Sequence, residues 1–116
     1  ITWVPVSAKR KRKRGYDQAE IVAQSVGREL GIKPTRLLKK LRDNPAQSGL
    51  QSEQRRANVL GVYAFTGETD LRGKRILLID DVFTTGSTAE ECARVLKSAD
   101  ASEVHCATVA AAQKEI

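Results

Sequence analysis

The sequence has few of the residues that build metal centres and disulfide frameworks. It contains two cysteines, one histidine, one tryptophan and no methionine in 116 residues. Cys92 and Cys106 stand far apart, and together with His105 they are too few to complete a four-ligand zinc site of Cys and His. We therefore expect two reduced, mostly buried thiols in a cytoplasmic protein, since disulfides are rare in that compartment.

Long apolar runs are missing as well. No stretch approaches the roughly 20 apolar residues that cross a bilayer, so the sequence predicts no membrane insertion. Residues 1–6 are too short for the apolar region of a secretory signal. Because the chain starts at Ile1 without a methionine, we expect a fragment of a longer protein, and residues 1–116 suffice for one domain with one core.

Positive charge, by contrast, is plentiful and concentrated. The formal net charge is +6, and Lys9 to Arg14 are consecutive cations. Such a run attracts phosphate groups, whether they belong to a nucleic acid such as single-stranded DNA or to a small ligand. A solvated loop is the alternative interpretation. Charge alone does not distinguish among these.

Apolar residues follow a pattern of strands alternating with helices. Strands are predicted over residues 1–6, 35–41, 59–65, 75–79 and 104–110. A helix is predicted from the cap Asp17 to Gly31, where apolar residues recur every three or four positions. A second helix is predicted to follow residue 87. This order predicts an α/β domain with a doubly wound, mostly parallel sheet of about five strands.

The segment from Ile76 to Thr88 places unusual chemistry at the end of a buried strand. Four apolar residues lead into two carboxylates, and hydroxyl side chains with a glycine then lead into a helix start. The polar residues are Asp80, Asp81, Thr84, Thr85, Gly86, Ser87 and Thr88. Carboxylates accept hydrogen bonds from sugar hydroxyls, whereas a helix start with a glycine suits a phosphate. The segment therefore suits a ligand such as ribose 5-phosphate.

This segment resembles the signature with which type I phosphoribosyltransferases bind 5-phosphoribosyl-1-pyrophosphate (PRPP). The resemblance implies the type I phosphoribosyltransferase-like fold. It also implies that Asp80 and Asp81 hold the ribose 2′- and 3′-hydroxyls with the help of Mg²⁺, and that Thr84 to Thr88 wrap the 5′-phosphate. An Asp-Asp turn before a capped helix, without a ligand, is the alternative.

Residues outside this segment resemble the ComF family of competence-associated, phosphoribosyltransferase-like proteins. They are Val4-Pro5-Val6, Arg14 to Ala19, Gln47, Leu50, Arg55 to Val59 and Gly61. The resemblance covers the core domain and not the cysteine-rich zinc module that usually precedes it in the family. Asp17 stands where the family more often has Asn, and Asp100 where Gly is common. The resemblance implies a role in DNA uptake, with proteins of the competence machinery as partners.

Two further loops are assigned roles by the resemblance. Ser7, Ala8 and Lys9 would line a pyrophosphate subsite after the first strand, and an ordinary strand-exit loop is the alternative. Residues 43–57 are polar and contain Pro45 and Gly49, and a loop of this length is typically a functional lid or disordered. Lid candidates are Arg42, Arg55 and Arg56. They would neutralise departing pyrophosphate, and an exposed basic turn is the alternative.

The expected function is phosphoribosyl transfer, present or former, in which a nucleophile attacks C1′ of PRPP and pyrophosphate leaves. Positioning and electrostatics would carry this reaction. No side chain is singled out as catalytic, and no segment remains to build an acceptor pocket, so the acceptor stays open. The second hypothesis is a non-catalytic nucleic-acid-binding factor that keeps the fold as a scaffold or PRPP sensor.

Overall fold

The parallel core and a separate strand pair make up the architecture of the chain. A computed structural model describes residues 1–6, 15, 17–41, 61–83 and 87–111. In chain order the elements are β1 (Thr2–Trp3), α1 (Gln18–Leu30), β2 (Leu38–Lys40), β3 (Tyr63–Phe65), β4 (Arg75–Phe83), α2 (Ser87–Ser98) and β5 (Glu103–Ala111). Strands β1, β4 and β5 form a parallel sheet in the order β1-β4-β5. Strands β2 and β3 form an antiparallel pair.

The structure confirms the α/β class and refines the predicted sheet. Of the five strands in the described ranges, three share the parallel sheet and two form the separate pair. β2 and β3 pair with each other because the chain reverses direction between them, with Lys40 aligned with Tyr63. A strand pattern in the sequence does not say which neighbour the strand will pair with, so this division was not predicted.

β4 is the central strand, and its alternating side chains divide the core in two. Leu77 and Ile79 pack with α1, whereas Ile76 and Leu78 pack with Cys92 and the rest of α2. Successive side chains of a strand point to opposite faces of the sheet. The two helices therefore cover opposite faces, which is the doubly wound arrangement that the sequence predicted.

Asp80 and Asp81 continue the strand, which corrects the predicted strand bounds of 75–79. β4 extends to Phe83, with Asp80 aligned with Thr108 and Phe83 with Ala111 of β5. Because β5 continues to Ala111, the backbone groups of β4 beyond Ile79 have partners there. The predicted strand was therefore four residues too short at this end.

The expectation of mostly buried thiols is half right. Cys92 is buried and Cys106 is exposed, because β5 is the last strand at its side of the described sheet. Neither α1 nor α2, the helices of the described ranges, has the length and apolar composition of a membrane span.

Candidate functional site

The exit of β1 and the acidic end of β4 lie side by side at one edge of the sheet. The two strands are parallel neighbours with Trp3 aligned with Ile79. The Val4 N–H donates to the Ile79 carbonyl at 2.8 Å. Because parallel strands run in the same direction, the chain leaves both at the same edge. Asp80, the residue after Ile79, therefore lies beside the exit of β1.

After these two strands the chain turns to opposite faces of the sheet. α1 follows β1 and packs on the face of Ile79, and α2 follows β4 and packs on the face of Leu78. Neighbouring strands with connections on opposite faces leave a crevice at their carboxyl ends, where ligands of open α/β sheets bind. The predicted pyrophosphate and phosphate loops leave from the two strands that flank this crevice.

Asp80 is half-buried at this crevice. Alternation along β4 puts Asp80 on the face of Leu78, which α2 covers. The electrostatics agree with this position: burial raises the pKa of the Cys92 thiol, and the negative charge of Asp80 raises it further. The structure thus brings the first predicted ribose-binding carboxylate to the α2 side of the crevice. Asp81 is the next residue of β4.

The start of α2 carries the last two predicted phosphate-binding residues. Ser87 is the first residue of the helix and Thr88 is the second. The first N–H groups of an α-helix have no acceptor within the helix, and the helix dipole is positive at this end. The helix dipole therefore favours an anion at the start of α2. Thr84, Thr85 and Gly86 lie outside the described residues.

A carboxylate of the protein itself, that of Asp17, lies at the start of α1. Asp17 is confirmed as the N-cap, since its Oδ1 accepts the N–H of Ala19 at 3.1 Å and of Glu20 at 3.4 Å. Its Oδ2 accepts the Val6 N–H at 3.1 Å, which ties the exit of β1 to the helix. The Asp17 side chain is buried. Its carboxylate therefore occupies the positive end of the α1 dipole.

A cavity of about 170 Å³ opens beside the exit of β1. Its walls are formed by Trp3, Pro5, Val6, Asp17, Glu20, Arg36 and Lys40. The Lys40 Nζ lies 5.8 Å from the centre of the Tyr63 ring, within range of a cation–π interaction. Arg36 and Lys40 were not predicted as site residues, because cations on a predicted strand are common on any protein surface. Only the packing shows that they share a cavity with the exit of β1.

The remaining predicted site residues lie outside the part of the chain that the structure describes. They are Ser7, Ala8 and Lys9 of the predicted pyrophosphate loop and Arg42, Arg55 and Arg56 of the predicted lid. Both ends of the long connection 42–60 are described, however. The Leu41 N–H donates to the Val62 carbonyl at 2.7 Å, so this connection starts and ends at one place.

Within the described ranges, no group of three or more His, Cys, Asp or Glu side chains is arranged to hold a metal ion. The carboxylate of Asp80 still offers the oxygen donors that Mg²⁺ prefers, and Mg²⁺ is commonly held by one or two carboxylates together with substrate phosphates. The residues at the crevice therefore fit a Mg²⁺ ion that shares its ligands with a bound phosphate compound.

The chain is similar to known proteins over most of its length. The family model of the phosphoribosyl transferase domain matches residues 12–115. Competence protein F of Haemophilus influenzae is 31% identical over 103 residues, which are 87% of this chain and 45% of that protein. Competence protein ComFC of Streptococcus pneumoniae is 34% identical over 101 residues, 87% of this chain and 43% of that protein.

A third relative has a different name. The DNA utilization protein YhgH of Escherichia coli K12 is 31% identical over 109 residues, 91% of this chain and 47% of that protein. The chain thus spans less than half the length of these curated relatives. The names of the two competence proteins confirm the resemblance to the ComF family that the residues indicated.

Proposed function

Since the chain belongs to the phosphoribosyl transferase domain family, we propose that it binds PRPP with Mg²⁺ at the crevice between β1 and β4. The observation that carries this proposal is the adjacency of the two strand exits, with helices leaving to opposite faces. PRPP has an anionic group at each end of a ribose. A crevice flanked by two loops of different chemistry suits such a ligand.

Different residues around the crevice bind different parts of PRPP. Asp80 and Asp81 accept hydrogen bonds from the ribose hydroxyls, and the first turn of α2 with Thr84 to Thr88 holds the 5′-phosphate. Asp80 and Asp81 would hold Mg²⁺ together with the ligand, and the ion would neutralise part of the pyrophosphate charge. The half-buried position of Asp80 supports its assignment to the ribose. A ligand can reach the carboxylate there, and it replaces water around only part of it.

The pyrophosphate belongs on the β1 side of the crevice. Ser7, Ala8 and Lys9 follow Val6, which lines the cavity that also contains Arg36 and Lys40. These two cations add positive charge on the side where the leaving group would depart. Arg42, Arg55 and Arg56 belong to the connection 42–60, whose two ends meet beside β2 and β3. This meeting point supports a lid that covers PRPP.

The reaction proposed for this site is phosphoribosyl transfer. An acceptor forms a bond to C1′, and the bond from C1′ to the pyrophosphate oxygen breaks, with its electron pair leaving on pyrophosphate. The acceptor loses its proton to solvent or to the leaving group. The chain contributes orientation of the ribose and stabilisation of the leaving anion rather than a covalent intermediate.

A second candidate function is binding of nucleic acid. Val6 and Asp17, which border the basic run Lys9 to Arg14, line the same cavity as Arg36 and Lys40. The cations of the run would thus lie near Arg36 and Lys40, and together they would attract a polyanion. The names of the relatives, which refer to competence and DNA utilization, support a role of this chain in DNA uptake.

Calorimetric titration of PRPP with and without Mg²⁺ tests the first proposal. Heat of binding that depends on Mg²⁺ supports it, and no heat at millimolar PRPP in either condition overturns it. Pyrophosphate release, measured against a panel of bases and amines, then separates a transferase from a PRPP sensor.

Replacement of Lys11, Arg12 and Lys13 by Gln tests the second proposal. A polyanion site should lose about 0.7 from the salt slope of single-stranded DNA affinity for each phosphate contact removed. PRPP affinity serves as the control and should stay unchanged, because Asp80 to Thr88 and Lys9 are intact. An unchanged DNA affinity would leave the basic run as a solvated loop.

A further inference from the structure

Glu91 is a buried carboxylate on α2 that the proposed function does not use. Its residue is 6% exposed, and a charge so far from water requires partners. Its Oε1 accepts the N–H of Gly61 at 3.3 Å. The Arg94 guanidinium, one helical turn further, donates to both of its carboxylate oxygens. Glu91 therefore joins the backbone of a distant segment to the helix.

Gly61 is the first described residue after the connection 42–60. Its φ of 73° is left-handed, a conformation that glycine adopts without strain. The next residue, Val62, is fully buried, and its carbonyl accepts the Leu41 N–H at 2.7 Å. The two ends of the connection are thus bonded to each other, and Glu91 bonds one of them to α2.

The bond from Gly61 is made to an anion. The hydrogen bond from Arg94 is the largest cause that lowers the pKa of Glu91, and the Gly61 N–H lowers it as well. Glu91 is therefore ionised at neutral pH, and hydrogen bonds to a charged acceptor are about twice as strong as neutral ones. In this ion pair the Glu91 carboxylate is buried, whereas the Arg94 side chain is half exposed.

The hydrogen bond between Gly61 and Glu91 connects Gly61 to the start of α2. Ser87 and Thr88 begin α2, and Glu91 follows about one turn later on the same element. A helix of this length moves as a rigid rod over one turn. If a bound phosphate displaced the first turn, Glu91 would therefore move with it. A displacement of Gly61 would likewise move the first turn.

We propose that Glu91 is a positioning residue that fixes Gly61, and with it the joined ends of the connection 42–60, to the helix that begins at the phosphate-binding turn. The proposal rests on the proposed function, because it makes PRPP affinity depend on a side chain placed one turn away from the phosphate. Glu91 acts through the backbone of Gly61 and not on the ligand.

Amide hydrogen exchange at Gly61, without ligand, tests the anchor itself. Glu91→Met removes the acceptor while nearly keeping the side-chain volume, and Glu91→Gln keeps an acceptor oxygen. We expect Glu91→Met to speed exchange of the Gly61 N–H by about tenfold or more, the effect of losing a hydrogen bond to a charged group, and Glu91→Gln to change it by less than about threefold. The matched control is Glu90→Gln, an exposed carboxylate on the same helix, which should leave Gly61 unchanged.

PRPP titration then tests the positioning role. Glu91→Met should weaken PRPP binding by about fivefold or more, and Glu91→Gln should restore most of the affinity. Val95→Ala removes apolar contacts of the same helix with the core and controls for stability. It should lower the melting temperature and leave the Kd of the folded protein unchanged.

The outcomes are distinct. Equal exchange at Gly61 in Glu91→Met and in the unmodified protein would overturn the anchor. Faster exchange with unchanged PRPP affinity would overturn the positioning role. If the unmodified protein binds no PRPP, the proposed function fails with the positioning role, and the exchange measurement alone decides the anchor. If Glu91→Met does not fold, the comparison of Glu91→Gln with Glu90→Gln decides: faster exchange at Gly61 in Glu91→Gln alone, by less than about threefold, supports the anchor, and equal exchange in both variants overturns it.

Discussion

Helix α1 starts at a buried carboxylate, whereas helix α2 starts at two hydroxyl residues, Ser87 and Thr88. Both helices follow strands that end at the same edge of the sheet. At α1 the carboxylate of Asp17 already accepts the free N–H groups of the first turn. At α2 the residue before the helix is Gly86, which has no side chain to do so. Of the two helix starts, α1 therefore already carries an anion of the protein, and the proposed phosphate site is at α2.

Transfer of the α1 arrangement to α2 would have the largest effect. Gly86→Asp puts a carboxylate immediately before α2, in the position that Asp17 has before α1. Two unit charges 4 Å apart repel by about 4 kcal/mol at an effective dielectric constant of 20. Allowing for screening, we expect PRPP affinity to fall by at least about 100-fold, which is about 2.7 kcal/mol. Calorimetric titration measures this loss.

Ser98→Asp is the matched control for Gly86→Asp. It adds the same charge at the exposed far end of α2 and should leave PRPP affinity unchanged. Retention of PRPP binding by Gly86→Asp would show that the start of α2 is not the phosphate site.

Removal of the anion from α1 should weaken the fold. Asp17→Ala leaves the N–H groups of Val6, Ala19 and Glu20 without their acceptor. Loss of an N-cap costs typically about 1 kcal/mol and up to 2, and the bond to Val6 adds to this. We therefore expect about 2 kcal/mol less free energy of unfolding, measured by urea denaturation. Asp17→Asn should cost less, because its one oxygen still caps the helix.

The contribution of Glu91 to stability should depend on pH, and the pairing with Arg94 sets this dependence. The pKa of Glu91 lies below its ordinary value of 4.5, first because of Arg94. Its contribution to stability is therefore present above pH 4.5 and lost as pH falls through the lower folded pKa. In Arg94→Gln the folded pKa rises towards the unfolded value, so the stability that is lost below pH 4.5 should be smaller and the acid decline shallower than in the unmodified protein. Urea denaturation across acidic pH measures it.

Arg72→Gln is the control for this pH profile. Arg72 and Asp70 form an ion pair in which both side chains are exposed, and such pairs contribute little. The pH dependence of Arg72→Gln should therefore follow that of the unmodified protein. Identical profiles for Arg94→Gln and Arg72→Gln would mean that the pairing of Glu91 with Arg94 contributes nothing to the pH dependence of stability.

The smallest expected effect comes from the other ends of the helices. Both end with a residue of positive φ, Gly31 at 69° after α1 and Asp100 at 76° after α2. Glycine tolerates this conformation better than residues with a Cβ. Asp100→Gly should therefore raise the free energy of unfolding by about 0.5–1 kcal/mol, and Gly31→Asp should lower it by about the same amount. Equal stability of all three proteins in urea would contradict this.

Local features of the sequence predicted local structure well. Asp17 and Gly31 indicated both ends of α1, because caps involve residues within one turn of the helix. The apolar run before Asp80 indicated the buried parallel strand, since a strand covered on both faces has few polar residues. The order of residues from Asp80 to Thr88 indicated the family, and the family match confirms it.

Contacts between distant segments could not be predicted in the same way. β4 extends to Phe83 only because β5 pairs with it there, and Arg36 reaches the cavity only because β2 lies beside the exit of β1. The bond from Gly61 to Glu91 joins residues 30 positions apart. No periodicity or cap indicates such a pair, since both partners look ordinary in their own surroundings.

By itself, the sequence determined the fold class and the ends of α1. The tertiary structure decided which strands are neighbours, which faces of the sheet the two helices cover and which carboxylate holds Gly61. The physical reason is the distance along the chain over which each interaction acts. Caps, propensities and alternation act between residues a few positions apart, whereas the crevice exists only once β1 and β4 pair side by side and their helices pack on opposite faces.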